Sequence, residues 1–380
     1  MHEPAEAGLA VSDQTPTATR PRWGRWCVLF ALAGLATVSL AHAAEESRFF
    51  RIGTAATTGT YFEIGGALAG AISKPWGTRD CAHGGSCGVP GLVAVAQATP
   101  GSIENVLAIG RGEMESGLVQ SDVAHWAYTG EAMPAPPHCR GGAGRTAKTS
   151  GPAGLKRGEK LTALRLIAAL FPEDHQIVVR RDGPIHTLGD LKGKRVSIGE
   201  PESGTIADAR LVLAAAGLSE CDITPRYLRL AAAAEALANN EIDAFFIVGG
   251  APIPAVLALA RLVPVRLVPI EGVTLERLTG SPPFFHNAII PGGTYPGIAE
   301  PTQTVSVTAL WVVSNTMPDD LVYAITRALW QDSTHTILER ASPVGRSINI
   351  GDALGVSALP LHTGAARYYA ERGLELPPKP

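Results

Sequence analysis

Charge is scarce in this sequence. Only 18% of its 380 residues are Asp, Glu, Lys or Arg, and the net charge is −3. A nucleic-acid binder needs a concentrated basic face, so that class of function is set aside. Long apolar runs are also missing beyond residue 44, which excludes a later membrane-spanning helix. Catalytic signatures are lacking too. No His-Glu-x-x-His zinc motif occurs, and His125, His175 and His286 have no neighbours spaced for a triad or a metal. Ser203 beside Glu202 has no identifiable base. An enzyme is not expected, and neither is a cofactor.

Hydrophobic residues make up 46% of the chain. At this length they can fill two compact α/β lobes. Two stretches say nearly the same thing. Ile52-Gly53 leads through a Thr/Ala loop to Gly59-Thr60, and Ile198-Gly199 leads through Glu200-Pro201-Glu202 to Ser203-Gly204-Thr205. Each reads as a strand end, a turn rich in small polar residues and a helix start. Such a turn offers free backbone N–H groups with the positive end of a helix dipole behind them. Two of them suggest two similar lobes facing one small polar ligand.

The N-terminus has the layout of a secretory signal. Arg20, Arg22 and Arg25 precede an apolar run from Trp26 to Ala41, and Ala41-His42-Ala43 fits a cleavage site. The run is shorter than the roughly 20 residues of a spanning helix, which favours cleavage over an uncleaved anchor. The expectation is a periplasmic protein beginning near Ala44. Of the later cysteines, Cys81 and Cys87 bracket a tight turn and are candidates for a disulfide in an oxidising compartment. A metal site on Cys81, His83 and Cys87, with Cys139 as a further candidate ligand, is the alternative, although the spacing matches no common zinc pattern. The partners of Cys139 and Cys221 stay open.

Apolar periodicity predicts strands at 49–53, 91–99 and 116–120, with helices following 60 and 102. Residues 130–160 are Gly/Pro-rich and basic, and read as a solvated loop or a docking patch. Strands are expected at 175–180, 196–199 and 244–248, with strand-like character at 227–230. Helices follow Thr205 and Ala231, and Gly217 is a candidate C-cap. Pro301–Ser314 reads as a return strand, and Asp319 or Asp320 as the cap of a final helix. This repeated β–α–β–α–β order implies parallel sheets with ligands at the strand ends.

Four loops fall at those ends: 54–61, 120–123, 200–205 and 249–252. They are rich in uncharged donors and acceptors and suit a small carboxylate. Thr57, Thr58 and Thr60 read either as N-caps or as ligand contacts. Asp122 reads first as an N-cap or hinge anchor, and Pro252 as a helix-start residue. Glu200 and Glu202 fit an anion site poorly; they point to solvent, or Glu202 receives an ammonium group. That asymmetry tilts the expectation toward an amino acid over a simple diacid.

Several ordered segments resemble the TAXI family, the extracytoplasmic solute receptors of TRAP transporters. They are Ile52–Tyr61, Gly101–Asn105, Gly117–Asp122, Leu188–Gly193, Val196–Gly199 with Ser203–Thr205, Ala214–Leu218 and Thr308–Val322. Glycine is commoner in that family where Thr57 and Glu202 stand here. The resemblance implies a type II periplasmic-binding-protein fold, two α/β lobes joined by a hinge with the ligand cleft between them. Residues 1–43 would be an N-terminal extension and signal peptide, 44–176 with 306–380 lobe I, and 177–305 lobe II. It further implies a small carboxylate or amino-acid ligand, of the glutamate or 2-oxoglutarate kind, delivered to the membrane permease subunits of a TRAP transporter. The ligand loops carried over are Thr57, Thr58, Gly59, Thr60 and Tyr61; Gln120 and Ser121; Ser203, Gly204 and Thr205; and Gly249 to Pro252. A sensor module with the same lobes, reporting to a membrane signalling partner, is the alternative.

Overall fold

Two long strands run through the centre of the fold. They are seen in a computed structural model that describes residues 46–131, 133, 158–280, 284–355 and 359–378. The expected signal peptide, Cys139 and most of the basic 130–160 stretch lie outside the described residues. The first half begins with β1 (Arg48–Gly53), α1 (Thr60–Ile72), the short parallel pair β2 (Ser73–Lys74) and β3 (Val89–Pro90), and β4 (Leu92–Gln97). It continues with α2 (Ser102–Gly110), β5 (Ser116–Gln120), α3 (Ser121–Thr129) and the 17-residue β6 (Leu164–Arg180). The second half contains β7 (Arg195–Ser197), α4 (Gly204–Ala215), β8 (Thr224–Arg226), α5 (Leu230–Ala238), β9 (Ala244–Gly249), α6 (Pro254–Leu262), β10 (Val265–Leu267), α7 (Gly272–Thr279) and β11 (His286–Ile290). The chain returns through β12 (Thr302–Ser314) into α8 (Asp319–Leu329), α9 (Asp332–Ala341) and α10 (Thr363–Glu371).

The strand order is β4-β1-β5-β12-β6-β9-β7-β8. β1, β4 and β5 are parallel, and so are β7, β8 and β9. β12 runs antiparallel to both β5 and β6, and β6 goes on to pair with β9 and β10. The result is two parallel α/β units joined through β6 and β12, the two-lobe α/β architecture. The strand expected at 175–180 is the end of a longer continuous strand that starts at Leu164.

Each unit repeats one tether. Arg51 on β1 grips Glu115, just before β5, with its backbone N–H at 2.9 Å and two guanidinium contacts at 2.8 Å. Arg195 on β7 grips Asp243, just before β9, in the same three-point way at 2.6–3.1 Å. The bidentate fork fits a carboxylate. Each pair fixes the register of a strand whose far end carries a ligand loop.

Three apolar cores lie against the sheet. One joins α2 and α3 to α4 through Ile103, Val123, Ile206 and Leu213. A second packs α1, α8 and α10 on Trp311, and the third packs α5 and α6 on Phe245. Gly65 in α1 faces Thr54 so closely that a Cβ would overlap its methyl group, so the helix can lie tight on the end of β1. Gly66 faces open space.

Some expectations need correction. The 227–230 segment is not a strand: pairing with β7 ends at Arg226, and the Ala-rich α5 starts at Leu230. The helix at Asp319 is not the last, since α9 and α10 follow, and its N-cap is Pro318. Gly217 is one residue past the C-cap Ala216, in the left-handed conformation. Cys81 and Cys87 form a disulfide, with Cα atoms 4.7 Å apart. Among the described residues no helix is long and apolar enough to cross a membrane, and no cluster of His, Cys, Asp and Glu is arranged to hold a metal.

Trp311 is fully buried, and its indole N–H donates to Ser116 Oγ at 3.2 Å. Trp311→Ala should cost about 3–5 kcal/mol in urea unfolding, from lost burial and the cavity left behind. A cost below about 1 kcal/mol would show that β12 does not organise this core.

Candidate ligand-binding site

Four helices start at one place. The N-caps of α1, α2, α3 and α4 are Gly59, Gly101, Gln120 and Ser203. All four line a single cavity of about 70 Å³. That is compact beside the roughly 300–1,000 Å³ of clefts for drug-sized ligands. Each helix start leaves N–H groups without intrahelical partners and carries the positive end of the dipole. Only Ser203 caps its own helix through the side chain, accepting from Ile206 N–H at 3.3 Å. Leu228, Leu230, Phe246 and Ile253 add an apolar part to the wall. Among the described residues the lining contains no Lys, Arg or His.

Seven of the residues singled out from sequence meet here: Gly59, Thr60, Tyr61, Gln120, Ser203, Gly204 and Thr205. Thr57 and Thr58 line a neighbouring cavity of about 330 Å³ with Glu200 and Arg229 instead. Ser121 turns away, accepting from Thr308 N–H at 3.2 Å. Gly249 and Pro252 are not brought to the cavity wall. Pro252 does not start a helix either: it follows a cis peptide bond, and α6 begins at Pro254. Thr60 donates to the Gly250 carbonyl at 2.9 Å, which ties the start of α1 to the loop after β9. Glu202 does not line the cavity, and its backbone carbonyl accepts from Glu104 N–H at 3.1 Å across the cleft. Glu200 does line it and pairs with Arg229 at 3.2 Å.

The floor of the cavity is polar and buried. Tyr61 donates to Glu173 Oε2 at 2.6 Å. Gln120 uses both ends of its amide: Oε1 accepts from Ser102 Oγ at 3.2 Å, and Nε2 donates to Asp208 Oδ2 at 2.6 Å. That second bond joins α3 of the first unit to α4 of the second. Gly204 faces Gln120 so closely that a Cβ would overlap Oε1.

Behind Gln120 lie Asp122, Asp208 and His175, all buried. Burial, and then the Asp208 carboxyl beside it, holds Asp122 well above the ordinary range for an aspartate. Burial pushes Asp208 up to about 6, against hydrogen bonds from Asp122 and Gln120 that lower it. Adjacent buried carboxylates oppose each other's ionisation, so burial and proximity together favour a proton on the pair. Burial pushes His175 down to about 4. Its ring is therefore neutral at pH 7, and its 3.6 Å approach to Asp208 is not an ion pair. The Val305 carbonyl, 3.1 Å from Nδ1, can only accept, so the proton sits on Nδ1.

Sequence reasoning missed Glu173, Ser102 and Asp208 as members of the site. A signal for Glu173 was present: Glu173-Asp174-His175 interrupts an otherwise apolar β6, and ionisable residues are rarely buried without a partner or a role. Asp208 had none, because it lies inside a helix that reads as ordinary.

The chain matches the NMT1-like family over residues 52–138 and 139–373 and belongs to it. Solved structures with similar folds include the alkanesulfonate-binding protein SsuA from Xanthomonas axonopodis pv. citri bound to MOPS. That protein is 18% identical, with 86% of this chain and 84% of that one covered and a TM-score of 0.43. The periplasmic aliphatic sulphonate binding protein SsuA from Escherichia coli is 16% identical, covering 88% and 86%, with a TM-score of 0.38. An ancestral arginine-binding protein bound to arginine is 15% identical, covering 77% and 97%, with a TM-score of 0.41. Their ligands are said of those proteins alone.

Two outcomes test this geometry. Gly204→Ala should cost about 1–3 kcal/mol in thermal unfolding, because it displaces Gln120 from Asp208. In a Gln120→Ala background the same change should cost almost nothing; equal costs in both backgrounds would break the link. Asp208, with its folded value near 6 against 3.8 ordinarily, binds its proton more tightly folded than unfolded. Its favourable contribution is present at low pH and lost as pH rises through that window. The stability of the wild type relative to Asp208→Asn should therefore fall by on the order of 2–3 kcal/mol between pH 4 and 7. A pH-independent difference would contradict the assignment.

Proposed function

We propose that this chain is an extracytoplasmic solute receptor. Its cleft closes on a small carboxylate or amino acid, of the glutamate or 2-oxoglutarate kind, and delivers it to a TRAP-type membrane permease. The convergence of four helix starts on one cavity carries this proposal. Backbone N–H groups and dipoles can hold an anion where no basic side chain is present. We take residues 44–176 with 306–380 as one lobe and 177–305 as the other, hinged where β6 and β12 cross. Ligand binding would favour the closed form through contacts made only there. The ligand contacts proposed are Gly59, Thr60, Tyr61, Gln120, Ser203, Gly204 and Thr205, together with Ser102 and Glu173. The TRAP partner and the periplasmic location rest on the TAXI resemblance and the signal-like N-terminus.

Purified protein starting at Ala44 should bind one small carboxylate or amino acid per chain in calorimetry. At a hundred times Kd the ligand adds about 2.7 kcal/mol of stability, a thermal shift of several degrees. Thr205→Ala should weaken binding roughly tenfold while the unliganded melting point stays put. No response across a broad panel would contradict the proposal.

A further inference from the structure

The cavity is lined by two electrically different kinds of group. One is the set of four helix starts. The other is Glu173, only 2% exposed, at the middle of β6. Glu173 Oε2 accepts the Tyr61 hydroxyl, which is the one proton that group can give. No hydrogen bond from the described residues reaches Oε1, although Glu173 lines the cavity. The other acid in the lining, Glu200, already faces Arg229. Glu173 is thus a buried carboxyl at the wall of the cavity, with no cation from the lining to meet it.

We propose that the site selects a zwitterion, with the ligand carboxylate on the helix starts and its protonated amine on Glu173. This deepens the receptor proposal above and rests on it. Burial, more than the nearby Asp122 and Asp208 carboxyls, holds Glu173 well above the ordinary range, against the Tyr61 hydrogen bond. In the empty cavity burial therefore favours the protonated form of Glu173. When an ammonium arrives, the carboxyl O–H bond breaks, its proton leaves to solvent, and the carboxylate formed faces the ammonium. Charge balances: one cation enters and one proton departs. A ligand with a second carboxylate in that place would instead need Glu173 to keep its proton and donate it. The two classes of ligand are therefore separated by the sign of the group at Glu173 and by the proton count.

The test is calorimetry on the mature chain near pH 7, in two buffers of different ionisation enthalpy. Each amino acid is paired with its 2-oxo acid and its amine-free acid. The proposal expects the amine-bearing member of the best-bound set to be favoured by roughly 10- to 100-fold, the scale of one charged hydrogen bond. It also expects binding of the amine-bearing ligands to release protons and binding of the amine-free acids not to. Glu173→Gln should remove most of that preference and the proton release, with the amine-bearing ligands losing roughly tenfold or more in affinity beyond any loss by the amine-free acids. Tyr61→Phe, which leaves the carboxyl in place, should likewise weaken the amine-bearing ligands more than the amine-free acids; it decides the matter if Glu173→Gln fails to fold. Tighter binding of the amine-free acids, or an amine preference that survives Glu173→Gln, overturns the inference and leaves the receptor proposal standing. No binding in any series overturns both.

Discussion

The hydrogen bond from Gln120 Nε2 to Asp208 Oδ2, 2.6 Å long and fully buried, is the constraint on which the site depends. It crosses from the start of α3 to the inside of α4, so it exists only when the two units meet. It sets the amide's orientation, which in turn places Oε1 against Ser102. It also explains why residue 204 has no side chain. Any Cβ there would push the amide away from both partners.

Around that bond the fold arranges charge without basic side chains. Four dipoles point at one cavity, and burial disfavours charge on the carboxyls of Asp122 and Glu173 near it. Positive potential from backbone and the weakened negative charge behind it are complementary. Ionised Asp122 and Asp208 together would oppose an anion at the helix starts; a proton on the pair removes part of that opposition. The same low-dielectric surroundings make each fixed dipole count for more than it would in water.

Much of this was legible in the sequence because the relevant signals are local. The Gly59-Thr60 and Ser203-Gly204-Thr205 turns announce helix starts, and Gln120 follows an apolar strand directly. The β–α–β–α–β order repeats in the sequence, and the structure gives each repeat an arginine tether, Arg51 to Glu115 and Arg195 to Asp243. What was not legible depends on distance in the chain. Glu173 and Tyr61 are 112 positions apart, and Gln120 and Asp208 are 88 apart. Thr57 and Thr58 share a loop with Gly59 but face another cavity, because a turn fixes its own shape and not which side meets the neighbouring lobe. Ser121 shows the same limit: its hydroxyl is drawn to β12, which arrives some 187 residues later.

The central claim is that the converging helix starts hold the anionic group of a small solute. It is tested most directly by mass spectrometry of protein purified from its own source, first native and then after gentle unfolding. The account predicts one small molecule per chain, bearing a carboxylate, that stays with the folded protein and is released on unfolding. A released molecule without any anionic group would contradict it.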